Sequence, residues 1–161
     1  MKILIKPISL ALVISAIWLA IRLSVGFNQN VKLDEGVMVS GTIASLAIFY
    51  ALLAAFAFAT AWQQWVAVEE AVKTKDQQAF LKHKDKRMPR TVKALILLFS
   101  VLLIGAFFLI SFKNILNGLY SIFSITLALS IYWVVIMDLD DPFDGDWNIQ
   151  VPKEWQHLIK N

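Results

Sequence analysis

The chain of 161 residues contains no cysteine. That excludes a disulfide framework, a thiolate nucleophile, cysteine-ligated zinc and an iron-sulfur cluster, and it leaves folding indifferent to the redox state of the compartment. The local signatures of common enzyme chemistry are missing as well. There is no P-loop, dinucleotide fingerprint or nucleophile elbow, and neither His83 nor His157 belongs to an H-E-x-x-H or comparable metal arrangement. A protein that is not an enzyme is expected. The long apolar runs hold no Asp, Glu or His of the kind a proton relay uses. No internal repeat or pair of discontinuous helices suggests a secondary transporter.

What the chain does have is apolar residues. They make up 58% of it, with a mean hydropathy of +0.65, well above the share in a soluble globule. A hydrocarbon core about 30 Å thick needs roughly 20 apolar residues in a helix, because backbone groups cannot be left unpaired in lipid. Four segments qualify, at about 7–27, 37–62 with a continuation toward 68, 92–112 and 115–137. The fold expected is all-α: an integral membrane protein with four transmembrane helices, forming one domain over 1–161. Lys2 and Lys6 ahead of the first run also fit a signal peptide, but the run is long, Arg22 interrupts its end and no small-x-small site follows, so a retained span is expected.

The formal net charge of +3 hides a strong asymmetry. With both termini on one side, that side carries Lys2, Lys6, Lys73, Lys75, Lys82, Lys84, Lys86, Arg87, Arg90, Lys93, Lys153 and Lys160, twelve in all, against Lys32 and Lys113 on the other. The positive-inside rule then places both termini in the cytoplasm, with a basic loop over 69–91 and a tail over 138–161. That loop has Phe80 as its one aromatic and Glu69, Glu70, Asp76 and Asp85 among its bases, so anionic lipid headgroups suit it and nucleic acid does not. Trp62 and Trp65 stand where an interfacial aromatic belt is expected. Beyond them Thr74 and Gln77 fit a capping box, so either one helix projects from the membrane or a second starts near Lys75.

At 100° per residue the second span lines up Ala47, Ala51, Ala55 and Ala59 as a small ridge suited to close helix packing. Almost opposite lie Ser45, Phe49, Phe56 and Thr60, which would face lipid, another subunit or a pore in an oligomer. The fourth span places Asn117, Ser121 and Ser124 on one stripe, an interhelical seam or a hydrated pathway. Arg22, near the end of the first span, reads as a snorkelling side chain or as an attractor of anions. Directly after the fourth span come Asp138, Asp140, Asp141, Asp144 and Asp146, five of the twelve acidic residues. Oxygen ligands this dense, with turns forced by Pro142 and Gly145, suit Ca²⁺ or Mg²⁺. The EF-hand pattern fails, since counting from Asp140 puts Val151 where Glu is needed. The alternative is that these carboxylates pair with the basic loop or cap short helices.

Two stretches carry a resemblance. Phe49-Tyr50-Ala51-Leu52-Leu53 through Trp62-Gln63-Gln64-Trp65 and Glu69-Glu70-Ala71-Val72, together with Asp138-Leu139-Asp140-Asp141-Pro142-Phe143-Asp144-Gly145, resemble the bacterial bestrophin-like family of four-span proteins, which has a D-x-PF-x-G signature after its fourth span. The resemblance implies a channel-like protein of the bacterial inner membrane, a homo-oligomer of five subunits that passes small ions, anions above all. It implies a second span that lines the pore, with Phe49 at an aromatic of the neck and Ser45 and Gly41 one and two turns before it. It also implies a calcium clasp in the acidic segment of Asp140, Asp141, Asp144 and Asp146. The other reading of the same residues is a non-conducting membrane adaptor that binds other transmembrane helices and a cytoplasmic partner.

Overall fold

The computed structural model describes residues 2–25, 33–110, 112, 114–144 and 146–159. Lys32, Lys113, Gly145 and Lys160, which enter the charge count or the signature above, lie outside the described residues. The described chain is all-α, with no strand: α1 Lys2–Val25, α2 Leu33–Lys73, α3 Gln77–His83, α4 Arg90–Leu109, α5 Ile115–Asp140, a 3₁₀ turn at Lys153–Trp155 and α6 Gln156–Ile159. Four of these helices are long and apolar enough to cross a bilayer, over Ile5–Ser24, Ser40–Lys73, Arg90–Leu109 and Ile115–Asp140. The chain is therefore a multi-pass membrane protein. No more than 28% of any span's apolar window is buried in the isolated chain, as befits helices whose apolar surface is covered by lipid rather than hidden from water.

Helix α2 has 41 residues, which at 1.5 Å per residue is about 60 Å, twice the thickness of a hydrocarbon core. It therefore projects beyond the membrane, and a second helix follows it. The stop between them is a Schellman motif: the Asp76 N–H donates to the Ala71 carbonyl at 3.0 Å and the Lys75 N–H to that of Val72 at 3.3 Å, with Lys75 left-handed at φ 56°. The cap of α3 is Asp76, whose carboxylate accepts from the Ala79 N–H at 3.0 Å. Thr74, expected to cap, instead donates its hydroxyl to the Glu70 carbonyl at 2.9 Å. The α helix of the fourth span also outruns expectation, ending at Asp140 rather than near Met137.

The chain divides into two compact units, residues 1–53 with 94–134, and residues 54–93 with 135–161. In the first, the buried positions fall on single faces: Ala11, Ser15 and Trp18 of α1, Ile96, Ser100 and Leu103 of α4, and Gly118, Ile122, Thr126 and Leu129 of α5. Steps of three and four residues make each set one helical stripe, and the small members let backbones come close. Gly118 shows how close. A Cβ built there would stand 2.6 Å from Cζ2 of Trp18 and 3.1 Å from the Phe112 ring.

In the second unit, Val68 and Ala71 of α2, Phe80 of α3 and Trp155 of the 3₁₀ turn form the core. Phe143, Ile149, Val151, Leu158 and Ile159 of the tail pack against it. Phe80 is its centre, with its ring centroid 5.9 Å from Phe143 and 5.2 Å from Trp155. Lys84 is buried and reaches the Leu158 carbonyl at 2.8 Å, so the last helix is pinned by a charge at its C-terminal end.

Candidate functional site

Gly41, Ser45, Phe49 and Phe56 of α2 are exposed and Thr60 is half-buried. Phe49 and Phe56, at 62% and 63% exposure, make no use of the chain's own interior. The two hydroxyls on this face turn back into the helix, that of Ser45 to the Gly41 carbonyl at 3.0 Å and that of Thr60 to the Phe56 carbonyl at 2.8 Å. Such back-bonding satisfies the donor while leaving lone pairs on the surface.

Ala47, Ala51, Ala55 and Ala59 are exposed as well. The seam that α2 buries within this chain runs through Tyr50, Ala54, Ala57, Ala61 and Val68, about 120° around the helix from that ridge at 3.6 residues per turn. Helix α5 shows the same rotation. Asn117 is exposed and Ser121 and Ser124 are half-buried, whereas Gly118, Ile122, Thr126 and Leu129 face inward. Small or polar residues at helical spacing marked a possible seam, but both helices are apolar all round, so nothing in the pattern said which side the neighbours take.

Arg22 does not stand free toward an anion. Its guanidinium donates to the Phe108 carbonyl at 3.4 Å and to that of Ile110, and it lies 5.7 Å from the centroid of the Trp18 ring. These carbonyls end α4, where backbone acceptors lack helical partners and carry partial negative charge, so the arginine acts as a cap supplied by another helix.

The acidic tail is bound up in the same way. Asp138 accepts from the N–H groups of Asp146 at 2.9 Å and Trp147 at 3.0 Å. Asp140 is buried, accepts from the Met88 N–H at 2.5 Å and pairs with Lys93 at 2.5 Å. Asp141 pairs with Arg87 at 3.0 Å and accepts from the Phe143 N–H at 3.2 Å, an Asx turn that starts the tail. Pro142 is buried, its carbonyl accepts from the Ile149 N–H at 2.8 Å, and Arg87 lies 6.0 Å from the Phe143 ring centroid. Asp144 and Asp146 are exposed. Among the described residues no three His, Asp or Glu side chains converge to hold a metal ion, and Asp138, Asp140 and Asp141 of the expected Ca²⁺ set are engaged by backbone N–H groups, Lys93 and Arg87.

Two further features escaped the sequence. Phe58, Trp62 and Trp65 stack in sequence along α2, at 6.3 and 5.7 Å between centroids, and the Trp65 indole N–H donates to the Trp147 carbonyl at 2.9 Å. Next to Trp65 a groove of about 290 Å³ runs past Glu69 and Lys73, which pair at 2.9 Å, to Asn148 and Gln150 of the tail. His83 lies in α3, where burial first, then the charges of Lys86 and Lys82, hold its imidazole below the ordinary histidine value. No known protein family, curated protein or solved structure matches the chain.

Proposed function

We propose that this chain is one subunit of an oligomeric, bestrophin-like channel for small ions, with anions favoured and about five copies around the axis by the resemblance. The observation that carries this reading is the exposed face of α2. Gly41, Ser45, Phe49 and Phe56 line a strip that the chain's own packing leaves unused, and Thr60 continues it. Small and hydroxyl-bearing residues followed by phenylalanines suit a path that is wettable at one level and closes by dewetting at another. The exposed ridge of Ala47, Ala51, Ala55 and Ala59 gives a neighbouring copy a surface it can approach closely. In this reading the cluster around Phe80 and the Asp141-Pro142-Phe143 turn lie in the cytoplasm.

The test is flux from liposomes of the purified full chain, with chloride and potassium gradients run separately. Flux above that of empty liposomes, from a closed homo-oligomer by mass in detergent, is expected. A monomer that passes neither ion across a range of voltages rejects the proposal and leaves the adaptor reading in its place.

A further inference from the structure

Each of the four spans buries one hydroxyl inside the first compact unit: Ser15 of α1 at 5% exposure, Tyr50 of α2 at 9%, Ser100 of α4 at 9% and Thr126 of α5 at 0%. Each lies about three helical turns from an end of its span, at Ile5, Ser40, Leu109 and Ile115 respectively, so all four stand near the middle of a core about 30 Å thick. A hydroxyl on the lipid-facing side of a span is common and harmless when it bonds back to its own helix. Ser100 does this, to the Ile96 carbonyl at 2.8 Å. Ser15 and Thr126 do not: their side-chain oxygens are buried without a hydrogen-bond partner from the protein. Tyr50 has Ser100 beside its hydroxyl, and the Ser100 oxygen can accept from it while its own proton goes to Ile96. The Trp18 indole N–H, one turn from Ser15 on the same face of α1, is buried without a partner like Ser15 and Thr126.

Buried polar groups are satisfied in more than nine cases in ten, and the cost of leaving one unpaired is highest where lipid excludes bulk water. Three unpartnered polar atoms on two helices of one unit, those of Ser15, Trp18 and Thr126, are therefore a signal of a guest. Their chemistry says which. They are two hydroxyls and an indole N–H, and the described spans carry no carboxylate or histidine there, so a charged guest would meet no counter-charge. Every group present can be satisfied by a small neutral molecule that both donates and accepts. We propose that the interior of the four-span unit binds water at Ser15 and at Thr126, hydration within the subunit and separate from the exposed face of α2. It does not depend on the channel reading, since a non-conducting chain would hold the same water.

Water-edited solid-state NMR of the full chain in lipid nanodiscs tests this. Magnetisation from water is expected to reach Thr126 and Ser15 several-fold faster than Ile122, Leu129 and Ala11, buried neighbours on the same two helices. Equal, slow transfer to all five would overturn the proposal. Thermal unfolding of Thr126→Val and Ser15→Ala gives a second arm. If water satisfies the hydroxyls, each variant melts at lower temperature. If the interior is dry, removing an unpaired hydroxyl raises the melting temperature. The measurement on the unmutated chain stands whether or not the variants fold.

Discussion

Asp140 and Lys93 form an ion pair at 2.5 Å in which the carboxylate is 3% exposed and the lysine side chain 23% exposed. Asp140 is the last residue of α5, where a negative charge is opposed by the helix dipole, so the pair corrects an unfavourable placement as well as joining two segments distant in sequence. Removing one partner strands the other. Lys93→Met is expected to destabilise the chain by about 3 kcal/mol, while adding Asp140→Asn, which keeps an acceptor for the Met88 N–H, restores part of the loss. Unfolding of the single and double variants in detergent, followed by circular dichroism, measures the difference. Added Ca²⁺ is expected to leave the melting temperature of the unmutated chain unchanged.

The contact of Trp18 with Gly118 makes a steric prediction. Gly118→Ala forces a methyl group to within 2.6 Å of a ring atom that is itself buried, and overpacking of this kind costs about 1–3 kcal/mol. Trp18→Phe removes the ring that clashes. The Gly118→Ala/Trp18→Phe double variant is therefore expected to be more stable than the sum of the two single losses, read by the same unfolding measurement.

Lys75 holds a left-handed backbone at φ 56° in the turn that ends α2. An ordinary side chain there costs about 1 kcal/mol relative to glycine, and Lys75 has no ion pair or side-chain bond among those described that would offset it. Lys75→Gly is expected to raise stability by about 1 kcal/mol, a gain from deleting a charge in a region whose charges otherwise hold it together.

How much of this was legible beforehand differs by level. The four spans were plain from apolar length alone, because lipid demands a continuous run. The faces were not. Ala54 and Ala57 are buried where Ala51 and Ala55 are exposed, and four alanines so close in sequence differ only in what stands beside them. Arg22 capping α4, and Asp140 meeting both Lys93 and the Met88 N–H, join residues far apart in the chain, so no local pattern announced them. The acidic run did announce itself as dense in carboxylates. Its partners Arg87, Met88 and Lys93, in the loop before α4 and in the first turn of that helix, lie far from it in sequence, so no local pattern announced the ion-paired clasp.

The pH dependence has a definite sign at His83. Its imidazole is held below the ordinary value of 6.5, so the folded chain takes up that proton less readily than the unfolded chain does. Stability from this residue is complete above about pH 6.5 and falls as the pH drops through that value toward the lower folded one. The melting temperature of the unmutated chain is expected to fall more between pH 7.5 and pH 5.5 than that of His83→Gln.

The absence of cysteine makes the central claim open to direct measurement, since a single cysteine can be placed anywhere without background. Single substitutions Ser45→Cys, Phe49→Cys, Leu12→Cys and Leu98→Cys, each in the reconstituted full chain, can be exposed to a charged thiol reagent that reacts only in water. The account predicts that the first two, on the proposed pore face of α2, react and alter ion flux, while Leu12→Cys of α1 and Leu98→Cys of α4, placed on exposed apolar surface expected to face lipid, do not. Ser45→Cys and Phe49→Cys as inert as Leu98→Cys would show that this face meets lipid, and would contradict the account.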